Sequence, residues 1–323
     1  MKKRQDFWKE LKKRGKIYAL APMAGVTDSA FRQICKSYGA DVVYSEMASA
    51  TALTFNPKET LDMLKFEKME RPYVVQLFGS KPEHFAVAAK LVAKKIKPDG
   101  IDINFGCPVK KVQKQHAGAS LMSDLRLSKK VIEAVLENAN LPVSVKMRSA
   151  SGKIDAIKFL KNIGNLKVSA VMIHGRTMAQ GHAGEADWKI IREARKHFRG
   201  VLLANGGITS AEDARAMLEK TGADGAGIAR GALGRPWIFK NIKNKKLKIK
   251  NEDVFKIALK HSRLAYKLKG KRGVIEMRKH LCWYVSGMSN ASELRRELVK
   301  VEKINKIKSI LITDNKKILN PNI

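Results

Sequence analysis

Acidic residues are scarce in this sequence. Its 323 residues include 30 Asp and Glu against 64 Lys and Arg, which gives a formal net charge of +34. An excess of this size attracts polyanions, and nucleic acid is the first class of partner that it indicates. The alternative is a chain that is rich in surface lysine without a selected partner. Charge alone leaves both interpretations open.

Cysteines are few, and long apolar runs are missing. Cys35, Cys107 and Cys282 are widely spaced and form no CxxC pair. This spacing argues against a disulfide framework and against a metal site, and it favours a reduced, cytoplasmic setting. No run approaches the ~20 apolar residues of a transmembrane helix, so we expect no membrane attachment.

Three segments differ in pattern. Residues 1–16 are a basic extension without the apolar stretch of a signal peptide. Its Phe7, Trp8 and Leu11 recur at helical spacing, which predicts a short amphipathic helix packed on the body. Residues 17–240 alternate strand-like and helix-like stretches. Residues 241–323 carry helical patterns and 22 Lys and Arg against 7 Asp and Glu, a net charge of +15. We therefore predict a basic helical domain after a linker at 240–251.

Short apolar runs rich in β-branched residues recur eight times in the middle segment. Helical patterns separate them, and continuous apolar strands of this kind belong to a parallel sheet covered on both faces. Eight such units in about 215 residues favour a (β/α)₈ TIM barrel over an open doubly wound sheet. The predicted strands cover residues 17–25, 42–47, 73–79, 100–108, 142–148, 170–177, 201–207 and 225–232.

Each predicted strand turns polar or otherwise distinctive at its carboxyl end. Barrel active sites are assembled from that rim. One polar strand end means little, but eight in succession predict a site there. In chain order, these residues are Met23, Glu46, Gln76, Asn104 with Cys107, Lys146 with Arg148, His174 with Arg176, Asn205, and Arg230.

Two glycine turns follow the last two predicted strands. They are Asn205-Gly206-Gly207 and Ala229-Arg230-Gly231. Barrel phosphate sites commonly lie after strands seven and eight, where backbone N–H groups face the anion. The alternative is a pair of ordinary turns. Together, at these strands, they favour a cofactor that carries phosphate, whereas no GxGxxG follows the first strand to support a dinucleotide fold.

Lys146 and His174 end neighbouring strands. A lysine inside a barrel mouth needs an anionic partner, because an unpaired buried ammonium is costly. A reduced flavin is one such partner, since it develops negative charge at its N1–O2 side. Pairing with the strand-end carboxylate of Glu46 is the alternative. His174 alone is more typical of a structural histidine.

Cys107 follows the fourth strand in the run Asn104-Phe105-Gly106-Cys107-Pro108. Buried cysteine is usually an inert small hydrophobe, but this one lies at the predicted catalytic rim. A nucleophilic role needs a nearby base, for which His116 is the candidate closest in sequence. A proton donor instead needs the protonated thiol that cysteine keeps at neutral pH. The residues alone leave both roles open.

Together, these motifs resemble those of the bacterial tRNA-dihydrouridine synthases, of the B-type subgroup. The resemblance covers residues 17 to 290. The combination of NFGCP, GRPWIF and RKHLCWY is specific to that family. The matching motifs are APMAGVTDSAFR (21–32), NFGCPVKKV (104–112), VKMR (145–148), IHGRT (173–177), NGGI (205–208), GRPWIF (234–239) and MRKHLCWY (277–284).

The resemblance implies an enzyme that reduces the C5–C6 double bond of uridines in tRNA to dihydrouridine. FMN, reduced by NADPH or NADH, would deliver hydride to C6, and Cys107 would protonate C5. The residues implied to bind FMN are Pro22, Met23, Ala24, Gln76, Lys146, His174, Asn205, Gly206, Gly207, Ala229 and Arg230. Those implied to bind tRNA are Asn104, Arg148, Arg176, Arg278 and Lys279.

Two positions depart from the family pattern. The family often has an acid where Gly207 stands and a glycine where Ala229 stands. Trp283 and Tyr284, beside Arg278 and Lys279, are either stacking surfaces for bases or core of the helical domain. We expect a monomer.

Two other functions compete with this one. A flavin reductase of a free pyrimidine, such as a dihydroorotate dehydrogenase, shares the barrel, but a small substrate does not require so basic a surface. A non-catalytic tRNA-binding protein on a degenerate barrel is the other alternative. The presence of Cys107, Lys146 and both glycine turns argues against it.

Overall fold

Eight parallel strands close into a barrel, as the sequence predicts. The structure is a computed structural model that describes residues 6–244 and 249–319. Residues 1–5 of the basic extension, 245–248 of the predicted linker and 320–323 of the predicted helical domain lie outside the described residues. The barrel strands are β1 Ile17–Leu20, β2 Val42–Ser49, β3 Tyr73–Phe78, β4 Gly100–Phe105, β5 Val143–Arg148, β6 Ala170–His174, β7 Val201–Asn205 and β8 Gly225–Ile228.

The barrel closes by pairing its first strand with its last. β1 lies beside β8 in parallel register from Ile17 opposite Gly225 to Leu20 opposite Ile228. The other strands follow in chain order around the barrel. Side chains of β4 are buried along its whole length, and its polar Asp102 and Asn104 alternate with apolar neighbours. A two-stranded hairpin, Ala150–Ser151 with Ile154–Asp155, follows β5 and was not predicted.

Helices cover the outside of the barrel, and further helices follow the last barrel strand in the chain. No helix in the described ranges is long and apolar enough to cross a membrane. The helices are α1 Phe7–Arg14, α2 Ser29–Ser37, α3 Ala50–Phe55, α4 Pro57–Met63, α5 Pro82–Lys95, α6 Lys110–Gln113, α7 Leu125–Ala139, α8 Ala156–Asn162, α9 Trp188–Ala194, α10 Ala211–Thr221, α11 Ile238–Lys243, α12 Asn251–Tyr284, α13 Ala291–Leu298 and α14 Ile304–Leu319.

Helix α1 covers the amino-terminal end of the barrel. Asp6 caps it by accepting a hydrogen bond from the Trp8 N–H at 3.1 Å. Trp8 is fully buried against side chains that point into the barrel, among them Tyr44, Val74 and Met172. The amphipathic helix predicted from Phe7, Trp8 and Leu11 is thus present, and its indole closes one end of the barrel.

Helices α12 to α14 form a second apolar core beside the barrel. Helix α12 consists of two segments that meet at Gly270, whose φ of 58° is not helical. Ala30 and Ile34 of α2 pack into this second core and so join it to the barrel. A salt bridge of 2.7 Å from Lys269 to Asp28 adds a polar contact between the two parts. Burial alone would raise the pKa of Asp28, but Lys269 and His261 hold it at about 2.

Two buried histidines lie at the junction of barrel and helices. The ring of Phe31 stacks on His261 with centroids 5.6 Å apart and lies 5.1 Å from the ring of His280. His261 Nδ1 hydrogen-bonds the Tyr284 hydroxyl at 3.2 Å, whereas its Nε2 and the Nδ1 of His280 find no partner among the described residues. Burial lowers the pKa of His261 to about 4 and that of His280 well below 6.5.

His261 therefore makes folding sensitive to acid. Its folded-state pKa is depressed below the unfolded value, so its contribution to stability is complete above about pH 6.5 and is lost as the pH falls toward 4. Between pH 7 and pH 5, the loss from His261 alone is roughly 2 kcal/mol. We expect His261→Gln to remove that part of the pH dependence, measured by urea unfolding at both pH values.

The exposed His116 offers a matched control. A His116→Gln variant should lose stability between pH 7 and pH 5 as the unmodified chain does. Equal losses in the unmodified chain and in His261→Gln would show that the buried ring does not carry the effect.

Candidate active site

A cavity of about 820 Å³ opens at the carboxyl ends of the barrel strands. Every residue predicted from the sequence to act at the site lines it, except Glu46, Arg278 and Lys279. The predicted residues that line it are Pro22, Met23, Ala24, Gln76, Asn104, Cys107, Lys146, Arg148, His174, Arg176, Asn205, Gly206, Gly207, Ala229 and Arg230.

The charged side chains of this cavity are all basic. They are those of Lys146, Arg148, Arg176, Arg230 and Arg235, and no carboxylate of the described residues lines the cavity. Positive groups that line a concave surface reinforce one another's field and attract an anion. The cavity is therefore built for a ligand that carries negative charge.

The loop after β1, which contributes Met23, is anchored from below by a buried ion pair. Arg32 and Glu70 are both fully buried and form a salt bridge. Arg32 also donates to the carbonyl of Thr27 at 2.8 Å, and the Thr27 hydroxyl oxygen accepts from the Met23 N–H at 3.2 Å. Removing either ion would leave the other buried and unpaired, which is strongly destabilising. The arginine of the APMAGVTDSAFR motif thus shapes the loop that lines the cavity.

Cys107 lies in a turn that two side-chain bonds define. The Asn104 Oδ1 accepts hydrogen bonds from the backbone N–H groups of Gly106 and Cys107, each at 2.9 Å. The Cys107 carbonyl accepts from the Ala119 N–H at 3.0 Å. Gly118 lies so close that a Cβ there would stand 2.8 Å from the same carbonyl oxygen. The segment from Pro108 to Ala119 therefore folds back onto the cysteine.

His116 does not serve Cys107 as a base. Its side chain is exposed, and it does not line the cavity. A nucleophilic cysteine needs a base within hydrogen-bond reach. The placement of His116 leaves the proton-donor role as the better match for the cysteine.

Lys146 is half-buried and has no ion-pair partner within the described part of the chain. Burial and, after it, the charge of Arg148 lower its pKa to about 8, although Asp102 and Cys107 oppose the shift. Glu46, its alternative partner, accepts a hydrogen bond from the Gly25 N–H instead. An anion bound beside Lys146 would stabilise its charged form.

His174 and His182 add polar groups of little charge to the cavity. Burial, followed by the charges of Lys146 and Arg148, lowers the pKa of His174 to about 2. Burial and the neighbouring arginines also lower the pKa of His182. Both rings are therefore neutral at neutral pH and act there as hydrogen-bonding groups.

Arg148 and Arg176 hold a loop over the cavity. Arg148 donates from Nε to the carbonyl of Gly106 at 3.0 Å and from Nη1 to that of Thr177 at 3.2 Å. Arg176 donates to the carbonyl of Gly184 at 2.9 Å. These bonds occupy guanidinium groups that the sequence assigned to substrate, and they shape the 177–187 loop, which brings His182 into the cavity.

The turn after β7 offers two free backbone donors. Gly206 and Gly207 have φ values of 104° and 80°, and within the described chain neither N–H donates a hydrogen bond. A Cβ on Gly206 would stand 2.3 Å from Cδ2 of His174. Asn205 is turned inward, since its Nδ2 donates to the carbonyl of Gly227 at 2.6 Å. Unpaired N–H groups beside exposed Arg230 form a cradle for a phosphate.

A buried polar network lies beneath the cavity floor. Asp102 accepts hydrogen bonds from Gln76 Nε2 at 2.8 Å and from the Ser144 hydroxyl at 2.6 Å. The Gln76 Oε1 in turn accepts from Asn104 Nδ2 at 2.9 Å. Burial raises the pKa of Asp102 to about 6, although both hydrogen bonds oppose the shift. Asp102 was not among the site residues predicted from the sequence, although its i, i+2 spacing from Asn104 places both side chains on one face of β4.

Residues of helix α12 reach the cavity rim. Trp283 lines the cavity, whereas Tyr284 is buried in the second core. Arg278 is half-buried and donates from Nε to the carbonyl of Val301 at 2.9 Å. Lys279 lies near Glu46 and lowers the pKa of that carboxyl, which burial raises. The two aromatic residues thus have different environments, and neither basic residue lines the cavity.

The described residues contain no group of three or more metal-ligating side chains. What they do assemble is a thiol, a lysine, two neutral imidazoles and a phosphate cradle around one concave space. Such a set suits a phosphate-bearing organic cofactor and one protonation step on a substrate beside it.

Comparisons with known proteins give one family. The family model described as dihydrouridine synthase matches residues 19–319. A probable tRNA-dihydrouridine synthase of Rickettsia conorii is 37% identical over 290 residues, which are 85% of this chain and 86% of that protein. A protein of the same description from Aquifex aeolicus is 34% identical over 295 residues, or 90% and 93% of the two chains.

Solved structures resemble the barrel at low identity. Histamine dehydrogenase from Rhizobium sp. 4-9 superposes with a TM-score of 0.56 at 12% identity; the match covers 76% of this chain and 48% of that one. An old yellow enzyme homologue from Zymomonas mobilis gives 0.52 at 14% identity over 73% and 90% of the two chains. This likeness is one of fold.

Gly206 provides a test of the cradle. We expect Gly206→Ala to destabilise the chain by roughly 3 kcal/mol, because the new Cβ meets the His174 ring at a strained backbone angle. The matched control is Gly222→Ala, where φ is also positive, at 64°, but nothing lies within 4 Å of the new Cβ. Its loss should be about 1 kcal/mol. Equal losses in urea unfolding would contradict the close approach to His174.

Proposed function

The chain belongs to the dihydrouridine synthase family, and from that premise we propose that it is a tRNA-dihydrouridine synthase. The reaction is the flavin-dependent reduction of the C5–C6 double bond of uridines in tRNA. The observation that carries the proposal is the cavity, in which a thiol faces a space whose charged side chains are all basic. Incubating the purified protein with tRNA and reduced flavin, and measuring dihydrouridine by nucleoside mass spectrometry, tests it.

FMN fits the residues of the cavity. The free N–H groups of Gly206 and Gly207, with Ala229 and Arg230, would hold its phosphate. Lys146 and His174 would contact the ring system, with Pro22, Met23 and Ala24 along one side. Gln76 retains one amide hydrogen for the pyrimidine edge, because its other polar contacts are made with Asp102 and Asn104. The donor set is therefore adequate for an anionic, planar cofactor.

When bound, a flavin supplies a hydride to C6 of the uridine. The protein completes the reduction by protonating C5, and the Cys107 thiol at the cavity wall would supply that proton. The Asn104 bonds to the Cys107 turn hold this residue at the wall. Lys146 would stabilise negative charge on the cofactor side of the cavity, because no carboxylate of the described residues forms a salt bridge with it. The electrons come from NADPH or NADH.

The basic surface supplies the binding energy for tRNA. A stacked uridine reaches a barrel interior only after it is extruded, at a cost of a few kcal/mol. Phosphate contacts offset this cost, and Arg278 and Lys279 of α12 are the candidates beside the rim. Trp283 adds an aromatic surface at the cavity itself. The reaction takes place in the cytoplasm, and the active species is a monomer.

Cys107 gives the most direct test of the mechanism. We expect Cys107→Ala to bind FMN and oxidise NADPH at unchanged rates, because the thiol makes no contact required for either. Formation of dihydrouridine in tRNA should fall by about 10²-fold or more, the usual contribution of a general acid. Nucleoside mass spectrometry and flavin absorbance measure the two effects.

The matched control is Cys282→Ala, a half-exposed cysteine on helix α12. It should form dihydrouridine at the unmodified rate. Unchanged product in Cys107→Ala, or loss of its flavin, would exclude the proposed role.

Lys146 gives a second test, on the flavin side. Lys146→Met should slow reduction of the flavin by NADPH at least tenfold, because a positive charge beside the developing anion is lost. Since the pKa of Lys146 is depressed to about 8, the ammonium loses its proton as the pH rises through that value. Stopped-flow rates should therefore fall above pH 8 in the unmodified chain and show no such fall in the variant.

An exposed lysine on α9 provides the control. Lys189→Met should keep both the rate and its pH dependence. An identical high-pH fall in Lys146→Met would assign that titration to another group.

A further inference from the structure

Asp102 is fully buried in the middle of β4 and does not itself line the cavity. The strand register sets it opposite Gln76 on β3 and Ser144 on β5. Its Oδ2 accepts from Gln76 Nε2 at 2.8 Å and its Oδ1 from the Ser144 hydroxyl at 2.6 Å. Four inward-pointing polar side chains, those of Ser144, Asp102, Gln76 and Asn104, thus form one chain of hydrogen bonds that ends at the Cys107 turn. We call these four hydrogen-bonded side chains the floor network.

The floor network has a direction, which the chemistry of its members imposes. A carboxylate only accepts hydrogen bonds, whereas a side-chain amide accepts at one end and donates at the other. Asp102 therefore selects the nitrogen end of Gln76, which turns the Gln76 oxygen toward Asn104. That oxygen selects the nitrogen end of Asn104. The Asn104 oxygen then faces the N–H groups of Gly106 and Cys107.

If the Gln76 side-chain amide were flipped, the hydrogen bonds at both its oxygen and its nitrogen would be lost. With Gln76 flipped, its oxygen would face a carboxylate oxygen and its nitrogen would face the Asn104 nitrogen. Two like-to-like contacts in a buried site cost several hydrogen bonds' worth of stability. With Asn104 also flipped, the Cys107 turn would lose both of its hydrogen bonds to the Asn104 oxygen.

We propose that Asp102 is a positioning residue that fixes the Cys107 turn by setting the orientation of the Gln76 and Asn104 amides. The inference rests on the proposed function for its catalytic consequence, since Cys107 is the group that the floor network positions. Asp102 itself contacts neither cofactor nor substrate. Its effect on the reaction passes through two amides and two backbone N–H groups.

The first measurement does not depend on activity. Hydrogen–deuterium exchange of a peptide that contains Gly106 and Cys107 reports directly on the two N–H groups that Asn104 accepts. In the flavin-free protein, Asp102→Ala should speed exchange of these two amides at least tenfold, because the Asn104 oxygen no longer has one fixed position. Asp102→Asn should leave exchange within about threefold of normal, since its amide can offer its oxygen to Gln76 and its nitrogen to Ser144.

Ser144→Ala is the matched control. It removes the other hydrogen bond to Asp102 but leaves the path through Gln76 intact. It should change exchange at Gly106 and Cys107 by less than threefold. If Ser144→Ala accelerates exchange as much as Asp102→Ala, Asp102 is merely one member of a buried polar cluster and the proposal is wrong.

The second measurement compares catalysis with tRNA binding, through kcat and KM. Asp102→Ala should lower kcat for dihydrouridine formation tenfold or more, with KM for tRNA within about twofold of normal. Asp102→Asn should restore kcat. Normal exchange together with normal kcat in Asp102→Ala would overturn the inference. Should Asp102→Ala not fold, Asp102→Ser carries the same test, because its short side chain does not reach Gln76.

The two proposals fail in different ways. If the unmodified protein forms no dihydrouridine, the proposed function is wrong, yet the exchange experiment still tests the orientation of the amides. If the unmodified protein is active and Asp102→Ala behaves normally in both measurements, only the role of Asp102 is wrong.

Discussion

Closure of the parallel sheet is the constraint on which the site depends. Because β1 pairs with β8, the strands form a ring, and their carboxyl ends meet around one opening. The register then sets the neighbours: Asn104 lies opposite Lys146, and His174 lies opposite both Arg148 and Asn205. Backbone pairing of the strands therefore brings together residues that are far apart in the chain, and no side-chain contact within the site is needed for this.

The second constraint is electrostatic. Five basic side chains around one cavity repel each other, and neutral partners hold two of them in place. Arg148 and Arg176 are held by backbone carbonyls of the 177–187 loop, so the repulsion is spread over many dipoles. Burial is the main cause of the depressed pKa values of Lys146 and His174, and repulsion by the neighbouring cations contributes to both. A bound anion would relieve this repulsion, which links occupancy of the cavity to the stability of its walls.

Local pattern was sufficient to predict the barrel and most of the cavity lining. Apolar runs predict the strands. The polar residue at each carboxyl end predicts the lining, because the carboxyl ends of all eight strands meet at one rim. The orientation of the side chains at that rim could not be predicted. Arg148 and Arg176 carry charges typical of substrate contacts, but whether a guanidinium meets a ligand or a carbonyl depends on the path of the 177–187 loop. Asp102 was missed because its partners come from two other strands.

The indole of Trp8 limits the routes by which a ligand can enter and leave the cavity. With the amino-terminal end of the barrel closed by a fully buried ring, the mouth is both entrance and exit. Under the proposed function, a nicotinamide donor and a tRNA nucleotide would both reach the cofactor through that mouth. A helix at the far end of the barrel thereby leaves one route for every ligand at the near end.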